Sequence, residues 1–432
     1  MSRGAERRAR EDARGALGRV TAESRRVFRD GLTLQSGQRL PCVDVAFERY
    51  GTINAARDNV ILVCHALSGG AHAAGWHTGA SKPGWWDLMI GPGKPFDTDR
   101  YCVMCSNVLG SCYGTTGPAS IDPATGRPYG SRFPTVTVGD MVAVQKALID
   151  DLGVTQLAAV AGGSMGGMQA LQWAVAYPDA VRAVVALATT HRHSPQQIAF
   201  DEIARRAVMA DANWRGGDYY DGARPSDGLA VARMVGHVTY LSDCGMERKF
   251  GRRRRGGHER TSAAPFEVES YLDHQGRSFV DRFDANSLVV LSRALDLFDL
   301  TEGRASLADA FATSRAAFLL LSFSSDWLYP PHQLDTVGEA LRQAGRPVTC
   351  ETLPSDDGHD AFLLEHDAQA PIVRAFLTSA AAPRGFHATT APYLPDNPLG
   401  PISEEEPSRC SLPLARPAGP LVPSASCSLP SS

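Results

Sequence analysis

The chain has 432 residues, 43% of them apolar, and a formal net charge of −4 at pH 7. That length allows one large α/β domain with an insertion, or two modest domains, around a sizeable core. The small negative charge gives no electrostatic reason to expect nucleic acid or an anionic membrane as a partner, and no apolar run approaches the roughly 18 residues of a membrane span.

The opening stretch, "MSRGAERRAREDARGALGRV", is charged and lacks the apolar segment of a secretory signal. Its arginines would suit an organelle transit peptide, but Glu6, Glu11 and Asp12 argue against one. Residues 1–28 are expected to form a mobile, helix-prone arm, and the protein to be cytoplasmic. Nine cysteines without a signal fit free thiols in a reducing compartment. Cys102 and Cys105 form a C-x-x-C with no second pair at matching spacing, so two packed strand cysteines are expected and no metal.

Short apolar runs then alternate with helical patterns. "NVILVCHALSG" (59–69), "YCVMCSN" (101–107), "QLAAVAG" (156–162), "VRAVVALAT" (181–189) and "AAFLLLSFSSD" (316–326) read as strands of a parallel sheet buried on both faces. "TVGDMVAVQKALIDDLG" and "MGGMQALQWAVAYP" carry apolar residues at i, i+3, i+4 and read as helices, the second stopped by Pro178. Strand–helix alternation of this kind implies an open, doubly wound α/β sheet. Residues 191–305 are polar and helix-prone, with no convincing strand, and read as a helical lid inserted between the core segments 29–190 and 306–382. The arginine run 252–255 within it could bind the phosphates of coenzyme A, but such runs are more often solvated loops. Residues 383–432 hold 11 of the 28 prolines and read as a disordered tail.

Gly162-Gly163-Ser164-Met165-Gly166 matches G-x-S-x-G between a strand and a helix, the setting of a nucleophile elbow. The flanking glycines let strand and helix approach closely, and the helix N-terminus favours developing negative charge. A capping serine in a glycine-rich turn is the plain alternative. A serine nucleophile needs a base, and the base needs an acid to orient it. Asp326 follows the strand "LLLSF", and His359 lies in "LPSDDGHDAF" after the short strand "PVTCETLP". Both fall at the carboxyl edge of the sheet, where open α/β folds carry their chemistry.

"HALSGGAH", "SNVLGSCYGTTGP", "GGSMGGMQALQWAVAYPD", "GLAVARMVGHVTY" and "GHDAFLLE" together resemble the homoserine O-acetyltransferase family, from about Val27 to about Thr378. The resemblance implies an α/β-hydrolase fold with a helical lid, usually dimeric through that lid, acting early in methionine biosynthesis. It implies acetyl-CoA as co-substrate, L-homoserine as acceptor, no bound cofactor, and a ping-pong route through a seryl acyl-enzyme. Position by position, Ser164 matches the nucleophile, His359 the general acid/base and Asp326 its partner. The backbone N–H groups of Leu67 and Met165 match the oxyanion hole. Arg233 matches the residue that grips the homoserine carboxylate, and Asp360 the one that binds its amino group. Tyr240, seven residues after Arg233, faces the same cavity if the segment is helical. His65 matches a structural position. Relatives that use succinyl-CoA tend to carry arginine two places after the acid of the triad, where this chain has Leu328, so acetyl is the expected acyl group. Serine as acceptor stays open, since one methylene is worth only about 1–3 kcal/mol. An esterase using water, or a binding module that kept only the fold, are the competing readings; the first has no use for Arg233 and Asp360, and the second has no need of an intact triad.

Overall fold

The computed structural model describes residues 24–255 and 266–380. Its centre is an eight-stranded sheet of β1 (Ser24–Phe28), β2 (Val43–Tyr50), β3 (Val60–Cys64), β4 (Cys102–Ser106), β5 (Ala159–Gly163), β6 (Ala183–Leu187), β7 (Ala317–Phe323) and β8 (Val348–Leu353). Their spatial order is β1-β2-β4-β3-β5-β6-β7-β8. The first two pairings, β1 with β2 and β2 with β4, are antiparallel, and every other pairing is parallel. The apolar runs are continuous because both faces are covered. Along β3, Val60, Leu62 and Cys64 enter one core cluster, while Ile61 and Val63 enter the other.

Two expectations change. Residues 24–28, assigned to the N-terminal arm, form the edge strand β1, in register with β2 through Val27 opposite Asp44. Burial of Val27 and Phe28 against the core fixes this end of the chain. Cys64, Cys102, Cys105, Cys112, Cys244 and Cys350 are free thiols, but Cys42 is disulfide-bonded, so the expectation of free thiols throughout does not hold.

Helix α1 (Val138–Asp151) starts at a capping box in which Thr137 and Asp140 satisfy each other's backbone N–H groups. Helix α2 (Met165–Ala176) follows β5 directly. Between β6 and β7 the described chain contains α3 (Pro195–Ala210), α4 (Ser226–Tyr240), α5 (Asp243–Lys249), α6 (Glu267–Val280), α7 (Ala285–Asp296) and the short α8 (Leu307–Phe311). Ser194 and Gln197 box the start of α3, with Pro195 in its first turn. The arginine run packs on α6. Arg253 pairs with Glu267 at 2.8 Å, and Arg254 lies 4.7 Å from the Phe266 ring centre. After β7 come α9 (Pro331–Gln343), β8, α10 (Ala361–Leu364) and α11 (His366–Ala380). No helix among the described residues is long and apolar enough to cross a membrane. The expected tail, 383–432, lies outside the described residues.

Candidate active site

Strand β5 ends at Gly163 and α2 begins at Met165, so one residue, Ser164, makes the whole turn. It does so at φ 57° and ψ −126°, a conformation that costs a residue with a side chain about 1–3 kcal/mol. A Cβ at Gly166 would sit 2.0 Å from the Cys64 carbonyl oxygen, and one at Gly162 would sit 2.5 Å from the Gly166 carbonyl carbon. Only glycine lets strand and helix close this tightly. The turn is held by the Ser164 N–H donating to the Leu187 carbonyl at 3.0 Å and by the Thr189 hydroxyl donating to the Ser164 carbonyl at 2.8 Å.

Two loops at the same edge of the sheet meet this serine. His359 Nε2 is 2.9 Å from Ser164 Oγ, and His359 Nδ1 is 2.8 Å from Asp326 Oδ2. The other Asp326 oxygen accepts the N–H groups of Leu328 at 3.0 Å and Tyr329 at 2.8 Å. A buried carboxylate satisfied in this way holds Nδ1 as the donor and leaves Nε2 to accept the serine proton. Gly358, at φ 66°, has no room for a side chain: a Cβ there would lie 2.5 Å from the Ser242 nitrogen. The Tyr329 ring stacks on the His359 ring with centres 4.8 Å apart.

Leu67 lies in the loop after β3, and Met165 opens α2. Among the described residues, no protein acceptor takes either N–H. Free amides beside a serine hydroxyl are suited to a developing oxyanion. His65 anchors the loop from beneath: its Nδ1 donates to the Ala66 carbonyl at 2.8 Å, and its Nε2 accepts from the Val108 N–H at 3.1 Å. Burial lowers its pKa to about 4, so the ring is neutral and serves as a brace.

Above Ser164 lies a cavity of about 70 Å³ whose walls include Leu67, Arg233, Tyr240, Leu328 and Tyr329. Arg233 and Tyr240 both belong to α4, and the guanidinium lies 5.5 Å from the tyrosine ring centre. The guanidinium also lies 4.8 Å from the Phe279 ring centre and 3.4 Å from Ser68 Oγ. Asp360 does not line this cavity, but its charge acts on Arg233, Tyr240 and Tyr271. Burial raises the Asp360 pKa above its ordinary value, opposed by the charges of His359 and Arg233.

Several residues at the site carry no local sequence signal. Arg282 also lies 4.9 Å from the Phe279 ring centre and donates to the Ser68 carbonyl at 3.1 Å, so two guanidiniums approach one ring. His193 Nε2 is 2.7 Å from the Tyr329 hydroxyl, and its Nδ1 is 3.3 Å from Asp296. Asp201 completes that group, its pKa raised well above the ordinary value by burial and then by the charge of Asp296. These three side chains could converge on a metal, but Arg205 already pairs with Asp296 at 2.7 Å and supplies the cation.

The sequence profile of the alpha/beta hydrolase fold matches residues 59–366. The homoserine O-acetyltransferase of Solidesulfovibrio magneticus is 54% identical over 355 residues, which is 81% of this chain and 89% of that one. Among solved structures, the homoserine O-acetyltransferase of Bacillus anthracis has a TM-score of 0.78 at 29% identity, over 83% of this chain and 98% of that one. An esterase, E22, has a TM-score of 0.75 at 33% identity, over 82% of this chain and 100% of that one. With that fold, and at that identity and coverage, the chain belongs to the homoserine O-acetyltransferase family, acyltransferases built on the α/β-hydrolase fold.

Proposed function

We propose that the chain transfers an acetyl group from acetyl-CoA to the hydroxyl of L-homoserine through an acetyl ester on Ser164. The observation that carries this reading is one serine, hydrogen-bonded to His359 and opening on a cavity walled by Arg233. In the first half-reaction Ser164 Oγ attacks the thioester carbonyl as His359 Nε2 takes its proton. The N–H groups of Leu67 and Met165 hold the oxyanion, and the imidazolium returns the proton to the departing thiolate of coenzyme A. In the second half-reaction His359 deprotonates the homoserine hydroxyl, which attacks the acetyl-serine. The bond to Ser164 Oγ breaks, the imidazolium returns the proton to that oxygen, and O-acetylhomoserine is released. Asp326 keeps the ring in the working tautomer throughout.

The acceptor is read at both ends. Arg233 offers two parallel donors to its carboxylate, and Asp360 offers a negative charge to its ammonium. Acetyl is favoured over succinyl because Leu328, which lines the cavity, is apolar and offers no charge to the second carboxylate of a longer acyl chain. The product serves methionine synthesis in the cytoplasm, and two copies pair through the lid, where Ile203, Val231 and Val238 of α3 and α4 expose apolar side chains.

A second reading, supported by the likeness to esterase E22, has water as acceptor. One experiment separates the two. Purified protein is given acetyl-CoA with and without homoserine, and succinyl-CoA in parallel, while free thiol, acetate and O-acetylhomoserine are measured. Homoserine-dependent thiol release with O-acetylhomoserine as the main product supports the transferase; acetate release indifferent to homoserine supports the esterase.

A further inference from the structure

The loop that carries Leu67 is tied at its other end to a group of side chains with no part in the acyl transfer proposed above. Glu48, on β2, is 1% exposed. Its Oε2 lies 3.0 Å from His72 Nδ1, and its Oε1 lies 2.8 Å from His77 Nε2. Among the described residues, these two histidines are its only ion-pair partners. The centres of the two imidazole rings lie 3.7 Å apart, their planes tilted by 32°. Tyr50 donates to Glu48 Oε2 at 2.6 Å, while its own oxygen accepts the N–H groups of Ala73 at 2.8 Å and Ala74 at 3.1 Å.

A buried carboxylate without a Lys or Arg partner needs compensating positive charge. One dication held between the carboxylate and the two ring nitrogens that face it would supply that charge. The three ligand atoms lie within 4.8 Å of one another. Bonds of about 2.0–2.1 Å in a tetrahedral site set ligand atoms roughly 3.3 Å apart. The two nitrogen–oxygen contacts, at 3.0 and 2.8 Å, are already close to that spacing. Two nitrogens and one oxygen suit zinc and other late divalent metals, whereas calcium and magnesium prefer oxygen alone. His77 is 41% exposed, which leaves an entry path and a fourth position for water. The Tyr50 phenol holds the carboxylate from behind, as outer-shell donors do in metal sites.

We infer that Glu48, His72 and His77 bind one divalent transition-metal ion, zinc by their donor chemistry, which clamps the loop between His65 and His77. The test uses the untagged, chelator-stripped full chain. Zn²⁺ is titrated by calorimetry, and Co²⁺ by its visible absorption. The expected result is one equivalent bound, with the intense bands of four-coordinate cobalt and a melting temperature that rises with added Zn²⁺. His77→Ala changes a side chain at the surface, so it should fold as the parent does, by circular dichroism, and weaken the site at least tenfold. His359→Ala should bind the metal as the parent does. The inference is overturned if no saturable site is found, if His77→Ala leaves the affinity unchanged, or if the metal is lost with His359 instead.

Discussion

Replacing Asp326 by asparagine changes one atom of a fully bonded carboxylate. In the parent, Oδ1 accepts two backbone N–H groups and Oδ2 faces His359 Nδ1. The amide of asparagine must point its NH₂ at one of these two sides. Facing the Leu328 and Tyr329 amides, it would oppose donors to donors and lose two buried hydrogen bonds, each costing about 1–3 kcal/mol. Facing His359 it loses only one, and the imidazole can restore it by moving its proton from Nδ1 to Nε2. The second arrangement therefore wins, and it leaves no lone pair on Nε2 for the Ser164 hydroxyl 2.9 Å away. The same exchange in a serine protease lowers kcat about 10⁴-fold, or ~5 kcal/mol of transition-state stabilisation. Asp326→Asn should thus fold normally, with a melting temperature within a few degrees of the parent, and acetylate Ser164 about 10⁴-fold more slowly. Stopped-flow release of coenzyme A on mixing with acetyl-CoA, with intact mass on quenched samples, measures that step directly. A loss of less than tenfold would refute the reasoning, because the ring would then be held in its working tautomer by something other than Asp326.

Ser164→Ala should abolish the acetyl adduct in intact mass and turnover with it, while Ser164→Gly should also raise the melting temperature, because glycine removes the strain of φ 57°; an active alanine variant would eliminate the serine ester. Arg233→Ala should leave acetylation of Ser164 nearly intact and raise the homoserine KM by at least tenfold, with lysine rescuing only partly; if the first half-reaction fails as well, Arg233 is structural. Leu328→Arg should shift the preference towards succinyl-CoA, read as the ratio of kcat/KM for the two donors, and an unchanged ratio would remove Leu328 from acyl selection. His65 and His237 are held neutral by burial, with pKa values lowered to about 4 and about 3. Below the ordinary value of 6.5 the unfolded chain therefore binds more protons than the folded one, so stability should fall as pH drops from 6.5 towards 4, by about 3 kcal/mol from His65 alone. Denaturant midpoints at pH 7, 5 and 4, with a flatter profile for His65→Gln, check the sign.

The parallel part of the sheet from β3 to β7 was legible in the sequence because each of those strands is covered on both faces and so appears as an unbroken apolar run. The edge strand β8, largely exposed, showed only as a short segment. Strands β1 and β2 were not legible, for a reason visible in β2. Asp44 and Glu48 are buried there among apolar neighbours, Asp44 paired with Arg25 and Glu48 meeting two histidines from a later loop. Those charges break the apolar run in the sequence without breaking the strand. Ser164 stood out because a turn of one residue permits only glycine around it. The partners of His359 could be placed from their position after predicted strands. Arg282 and His193 could not, because Arg282 follows a lid helix and His193 meets Tyr329 across 136 residues of sequence. Their roles depend on how the lid folds over the sheet, which no local spacing encodes.

The placement of the insertion has a consequence for how such proteins diversify. Ser164 precedes the lid, and Asp326 and His359 follow it, so the reacting atoms are all fixed to the sheet. Arg233, Tyr240 and Phe279, which line the cavity, and Arg282 beside Phe279 all belong to the inserted segment. Much of the cavity wall can thus change with the inserted segment, which joins the sheet after β6 and before β7, although Leu67, Leu328 and Tyr329 of that wall belong to the core. Substitutions, deletions or wholesale exchange within that segment can retarget the protein while its reaction chemistry stays in place. Laboratory evolution aimed at new acyl acceptors should therefore start its libraries between Thr190 and Ser306 and add Asp360.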